Sequence, residues 1–146
     1  VIEHARTGLV AGICGGMQML GEQILDPEGM ESAGDVRGLC LLPIETIMRP
    51  SKITLAGAGK LTAESLFCQP IREIALQGYE IHIGETRYIG RAQPFARLVR
   101  QTKESVVDGC ISDGCISVDS RIFGTYLHGL FDGDAFRHAF IKAARG

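Results

Sequence analysis

The sequence predicts an α/β fold built on an open sheet, and three observations carry that expectation. An apolar run at residues 8–13 turns sharply through Cys14-Gly15-Gly16 and resumes as a helical pattern. Short strand-like runs then follow to about residue 125. The chain closes on a helical segment over residues 134–145. With 146 residues and no linker or low-complexity stretch, residues 1–146 read as one domain long enough to bury a core.

Gly8-Leu9-Val10-Ala11-Gly12-Ile13 is the continuous apolar run of a strand buried on both faces. Met17, Leu20, Ile24 and Leu25 fall near helical spacing, so a helix follows, ended by the turn chemistry of Asp26-Pro27-Glu28-Gly29. Leu39-Cys40-Leu41-Leu42 and Lys52-Ile53-Thr54-Leu55-Ala56 read as strands. Gly78-Tyr79-Glu80-Ile81-His82-Ile83 alternates with period two and reads as a half-exposed one. Residues 95–99 form a further candidate. Asp108-Gly109 and Asp113-Gly114, in two back-to-back five-residue repeats, read as hairpin turns. Residues 121–127 form a strand. Phe136, Phe140 and Ile141 then mark the terminal helix, with Asp132 or Asp134 able to cap it. The strand-turn-helix unit lies within the first 25 residues, although such a unit is usually central in an open sheet. The domain is therefore expected to be N-terminally incomplete.

Composition removes several function classes. Fifteen Lys plus Arg against 17 Asp plus Glu leave a net charge of -2, so neither nucleic acid nor an anionic membrane surface is an expected partner. The longest apolar run, residues 39–44, falls far short of the ~20 residues of a membrane span. No N-terminal segment has the order of a signal peptide, and a soluble, cytoplasmic protein is expected. Five cysteines, with no CxxC pair and no histidine near Cys110 or Cys115, point away from a disulfide framework and from a metal site. The 19 glycines favour tight turns over long helices.

Gly12-Ile13-Cys14-Gly15-Gly16 matches G-x-C-x-G, the cysteine form of the nucleophile elbow. The turn lifts the sulfur out of the sheet, flanking glycines give room, and the N–H groups opening the next helix face it. The N–H of Gly15, just after the nucleophile, is placed to donate to an oxyanion. A nucleophilic cysteine needs a base, and there are four histidines. His4 lies in a polar start and His138 inside the terminal helix, where solvated roles are the default. His82 alternates on its strand as a surface or pocket residue. His128 ends the 121–127 strand as Cys14 ends its own. If the two strands run parallel, both side chains emerge at the carboxyl edge of one sheet, where α/β folds place ligands. Cys14 and His128 are the expected catalytic pair.

Three motifs occur in order: Gly12-Ile13-Cys14-Gly15-Gly16-Met17-Gln18-Met19-Leu20-Gly21, Gly78-Tyr79-Glu80-Ile81-His82-Ile83-Gly84 and Gly124-Thr125-Tyr126-Leu127-His128-Gly129-Leu130-Phe131-Asp132. Together they resemble the C-terminal, class I-like glutamine amidotransferase domain of the cobyric acid synthase family. The resemblance implies a three-layer, flavodoxin-like sheet. It also implies hydrolysis of glutamine through a Cys14 thioester, with His128 moving the protons. The ammonia would go to an N-terminal synthetase domain of the same enzyme, where ATP and Mg²⁺ activate carboxylates of adenosylcobyrinic acid a,c-diamide, a corrinoid bound mainly by that domain. This sequence has no G-x-x-x-x-G-K-[ST], so no cofactor is expected here. Only 13 residues precede Cys14, so a second oxyanion donor is expected to be missing and the chain alone to turn over slowly. Related enzymes place a glutamate two residues after the histidine, where this chain has Leu130. Glu80, a main-chain carbonyl and an acid on the missing domain are the candidates to orient His128, and the alternative for Glu80 and His82 is that they shape the pocket or the interdomain contact. Three further readings stand beside this one: the amidotransferase subunit of lipid II isoglutaminyl synthase, a non-catalytic interaction remnant, and a general cysteine hydrolase.

Overall fold

The computed structural model describes residues 1–31, 34–71, 73–101 and 106–145. The chain is mostly sheet with few helices. In order its elements are α1 (Ile2–Ala5), β1 (Val10–Ile13), α2 (Gly15–Leu20), β2 (Gln23–Leu25), β3 (Val36–Arg37), β4 (Ile44–Leu61), β5 (Ser65–Leu66) and β6 (Gln69–Pro70). Then come β7 (Ala75–Tyr88), β8 (Ala96–Gln101), β9 (Val106–Asp113), β10 (Cys115–Ile116), β11 (Ile122–Thr125), β12 (Leu127–His128) and α3 (Asp134–Arg145). Among the described residues no helix is long and apolar enough to cross a membrane.

Two sheets position the site. The smaller runs β1-β11-β10, with β1 and β11 parallel and in register from Val10↔Ile122 to Ile13↔Thr125. The larger runs β12-β7-β4-β2-β3, with β8 joined to β4 and β9 to β8. Parallel pairing occurs there at β2–β4, while β4 and β7 form a long antiparallel ribbon. β5 and β6 make a separate short hairpin. The chain crosses between the sheets at Tyr126, the single residue between β11 and β12.

Two apolar clusters hold this arrangement. One gathers Phe95, Phe123, Phe136, Leu98 and Leu127, and in it Phe95 stacks on Phe123 at 4.5 Å while Phe136 meets both rings edge-on. The terminal helix seals it, as the spacing of Phe136 and Phe140 predicts. The other seats Met17 and Leu20 of α2 against Leu42, Ile44, Ile122 and Tyr126.

Four expectations are corrected. The helix after the elbow stops at Leu20, because Gly21 adopts an extended backbone and lies too close to the Ile44 carbonyl for any side chain. Gln23–Leu25 then pairs with β4 instead of extending the helix. Residues 39–42 form no strand. The N–H groups of Leu39, Leu41 and Leu42 donate to Met19 and Leu20 carbonyls, satisfying the end of α2. Asp108-Gly109 makes no hairpin, since β9 runs through it with a register shift opposite Arg100. The strand expected over 121–127 is two strands in two sheets.

Candidate active site

Strand β1 delivers Cys14 to a bend that a side chain seldom tolerates. Its φ of 56° and ψ of -118° lie in the positive-φ region that ordinarily belongs to glycine. Hydrogen bonds on both sides hold it there. The Cys14 N–H donates to the Thr125 carbonyl at 2.9 Å, and the Cys14 carbonyl accepts from Met17 and Gln18 N–H at 2.9 and 3.2 Å. The flanking glycine of the motif is explained by the seating of α2. A Cβ on Gly12 would stand 2.6 Å from Leu20 Cδ1 and 2.8 Å from the Gly16 carbonyl. Its register partner Gly124 is equally constrained, with Met17 Cβ at 2.8 Å. Two facing glycines therefore let the helix lie directly on the sheet.

The Cys14 thiol, half-buried and free of disulfide, donates to the Ile81 carbonyl of β7 at 3.4 Å. It opens on a cavity of about 500 Å³ whose walls include Gly15, Gln18, Lys52, Ile81 and His82. His128 lies opposite Tyr79 of the same strand β7, and the two rings stack at 5.1 Å. A side chain on Gly78 would strike the His128 carbonyl, so glycine is needed for that close pairing. Tyr79 and Ile81 are two residues apart, about 7 Å of strand. Among the described residues His128 Nε2 is buried without a hydrogen-bond partner. The parallel pairing expected between the strand of Cys14 and the strand leading to His128 is present. His128 itself sits beyond the Tyr126 crossing, in the larger sheet.

Glu80 and His82 project from the other face of β7, inward. Glu80 is 1% exposed, and both its oxygens accept from Arg100, from Nε at 2.6 Å and from Nη2 at 2.9 Å. Burial works to raise its pKa, but the Arg100 guanidinium, with His82 at 3.9 Å, brings it down to about 2. His82 is 7% exposed, stacks on Tyr126 at 3.6 Å, and has no hydrogen-bond partner on either ring nitrogen among the described residues. Behind it lies a second cavity of about 330 Å³ reaching Arg100, Asp113 and Tyr126. Burial pushes the Asp113 carboxyl up to about 6, although Thr125 Oγ1 and the Tyr126 N–H both donate to it. Tyr126 in turn accepts from Gln18 of the elbow helix at 3.0 Å and pairs with Thr86 at 2.6 Å. His4 bonds to the Leu9 carbonyl at 3.2 Å and His138 is exposed on α3, both apart from the thiol cavity.

Residues 1–136 match the model of the CobB/CobQ-like glutamine amidotransferase domain. The chain belongs to that family. The chain is 43% identical over 141 residues to a cobyric acid synthase of Chlorobium phaeobacteroides, covering 96% of this chain and 26% of that protein. It is 47% identical over 139 residues to a cobyric acid synthase of Brucella canis, covering 94% of this chain and 25% of the other. A cobyric acid synthase of Rhodobacter capsulatus is 45% identical over 144 residues, with 94% and 25% covered. The chain thus spans about a quarter of the length of the curated relatives it matches.

The mostly-sheet architecture is compatible with a CobB/CobQ-like amidotransferase domain. Sequence motifs reached Cys14, Gly15, Glu80, His82 and His128, but not Arg100 or Lys52. Neither of these stands in a motif, and each becomes visible only through the register of β4 with its neighbours. Asp113 was legible only as a turn residue, although its carboxyl is 3% exposed and ties the two sheets.

Proposed function

We propose that this chain is the glutaminase part of a cobyric acid synthase. The observation that carries the proposal is the glycine-like backbone of Cys14 at an elbow between β1 and α2, opening on a cavity. A packing thiol has no need of such strain. His128 takes the thiol proton as Cys14 Sγ attacks the γ-carbonyl carbon of glutamine, and the Gly15 N–H donates to the oxyanion that forms. The carbon–nitrogen bond then breaks, and ammonia leaves with a proton supplied by His128. Water attacks the thioester, His128 takes its proton, and glutamate departs with the thiol restored. Glu80, engaged by Arg100, shapes the pocket together with His82. In this reading the β1–β11 pair with α2 against it belongs to a three-layer, flavodoxin-like sheet.

The ammonia serves a synthetase domain of the same enzyme, for which the fourfold greater length of the relatives gives support. There ATP and Mg²⁺ activate carboxylates of adenosylcobyrinic acid a,c-diamide. No ATP step is assigned to the present residues. Gly57-Ala58-Gly59-Lys60, the stretch nearest in composition to a phosphate loop, lies within β4 and is paired on both sides, by β7 and β8.

A diazo-ketone analogue of glutamine tests the proposal. It is expected to label Cys14 covalently, with labelling abolished in Cys14→Ser and glutamine hydrolysis slowed at least ~10²-fold in His128→Asn. Glutamate release undiminished in Cys14→Ser would overturn it.

A further inference from the structure

His128 carries an extra proton twice in each turnover, so an imidazolium forms there, and its surroundings hold no acid to receive that charge. Among the described residues no carboxylate lies within ion-pair distance of His128. Leu130, two positions on, is packed into the apolar core, and both Glu80 oxygens are taken by Arg100 on the other face of β7. What does face the imidazole is Tyr79. The two are register partners across the β7–β12 pair, and their rings lie 10° from parallel with centroids 5.1 Å apart, an offset stack. Packing and hydrogen bonding leave Tyr79 no other duty. It belongs to neither apolar cluster, is 50% exposed, and its hydroxyl takes part in no hydrogen bond among the described residues.

We infer that Tyr79 is a positioning residue for His128, its ring doing through a π-face what a carboxylate would do through an ion pair. The inference rests on the glutaminase reading and deepens it. An aromatic ring is negative on its face, so a cation within about 6 Å of its centroid is attracted to it. That attraction is small for neutral imidazole and grows as the proton arrives. It therefore stabilises the transition state of each proton transfer more than the ground state. The flat contact also fixes the imidazole plane, since tilting would drive one ring into the other. His128 Nε2, buried without a partner, is then held in place and free to exchange a proton with the thiol. A leucine at this position would cover the same strand surface yet supply neither the flat contact nor the negative face. A phenylalanine would supply both, because the hydroxyl is unused.

Two variants of the full chain test this, Tyr79→Phe and Tyr79→Leu, each also combined with His128→Asn. Steady-state glutamine hydrolysis is measured together with the rate at which the diazo-ketone analogue alkylates Cys14. Alkylation is a single event that needs no turnover, so it stays measurable in the slow His128→Asn background. Tyr79→Leu is expected to lower kcat and the alkylation rate on the order of 10-fold with KM within about 2-fold of wild type, and Tyr79→Phe to keep all three within about 3-fold. With His128→Asn in place, Tyr79→Leu should cost nothing further, because the ring acts only through the histidine. A Tyr79→Leu defect of the same size in both backgrounds overturns the inference. So does a phenylalanine variant as slow as the leucine one, or a leucine variant as fast as wild type. The glutaminase reading fails separately, if wild-type protein neither labels at Cys14 nor hydrolyses glutamine.

Discussion

Cys14 occupies a backbone conformation in which glycine would be at ease, with φ 56° and ψ -118°. Positions of this kind cost on the order of 1–3 kcal/mol when filled by a side chain. Cys14→Gly relieves that strain, while Cys14→Ala keeps it. The glycine variant is expected to be the more stable of the two by roughly 1 kcal/mol, after its greater unfolded-state entropy is subtracted. Urea titration of both checks this, and an alanine variant of equal or higher stability would show the bend to be unstrained. The sign runs against the usual rule that glycine weakens a structure. The other four cysteines are free thiols, and burial pushes that of Cys115 up to about 11.

Among the elements, β4 carries the most structure and was the least legible. Arg100 of β8 lies opposite Gly57 on one side of β4, and Glu80 of β7 lies opposite Leu55 on the other, so their ion pair reaches across the middle strand. Arg100→Met would leave the Glu80 carboxylate buried without its fork of donors, and is expected to cost about 3 kcal/mol at neutral pH. Because Glu80 titrates lower in the folded chain than unfolded, at about 2 against 4.5, the pair contributes stability above pH ~4.5 that is lost as pH falls toward 2. Thermal melts of wild type should fall through that window, and melts of a Glu80→Gln, Arg100→Met double variant should fall less. In the sequence β4 reads as separate pieces because Pro50 and the glycines at 57 and 59 look like breaks. Pro50 in fact lies where the pairing with β7 shifts between Ile47 and Lys52, so its missing N–H is tolerated. Local pattern reveals β1, the start of α2 and α3, whose periodicities are strong. It cannot show cross-strand register, and register is what brings Arg100 to Glu80 and Lys52 to the thiol cavity.

At the scale of the molecule, Asp113 holds the junction of the two sheets. It closes β9 and takes hydrogen bonds from Thr125 at the end of β11 and from Tyr126 at the crossing. Burial raises its carboxyl from 3.8 to about 6, so the folded chain keeps a proton that the unfolded chain has released. Its contribution therefore falls as pH rises from about 4 to about 6, opposite in direction to that of Glu80. Asp113→Asn is expected to flatten the pH dependence of Tm across that interval, and an unchanged slope would place the titration elsewhere. The sheet-level division was hidden because residues 121–127 form one uninterrupted apolar-rich run, in which nothing marks Tyr126 as the point of exchange.

The one-residue crossing has a geometric corollary. Side chains alternate along a strand, so Leu127 faces the core and His128 faces Tyr79 only because a single residue separates β11 from β12. Deleting one codon at this joint would turn the imidazole into the oily interior and swing a leucine out beside the tyrosine ring. The parity of a connector, more than the chemistry of either strand, decides which way the histidine looks.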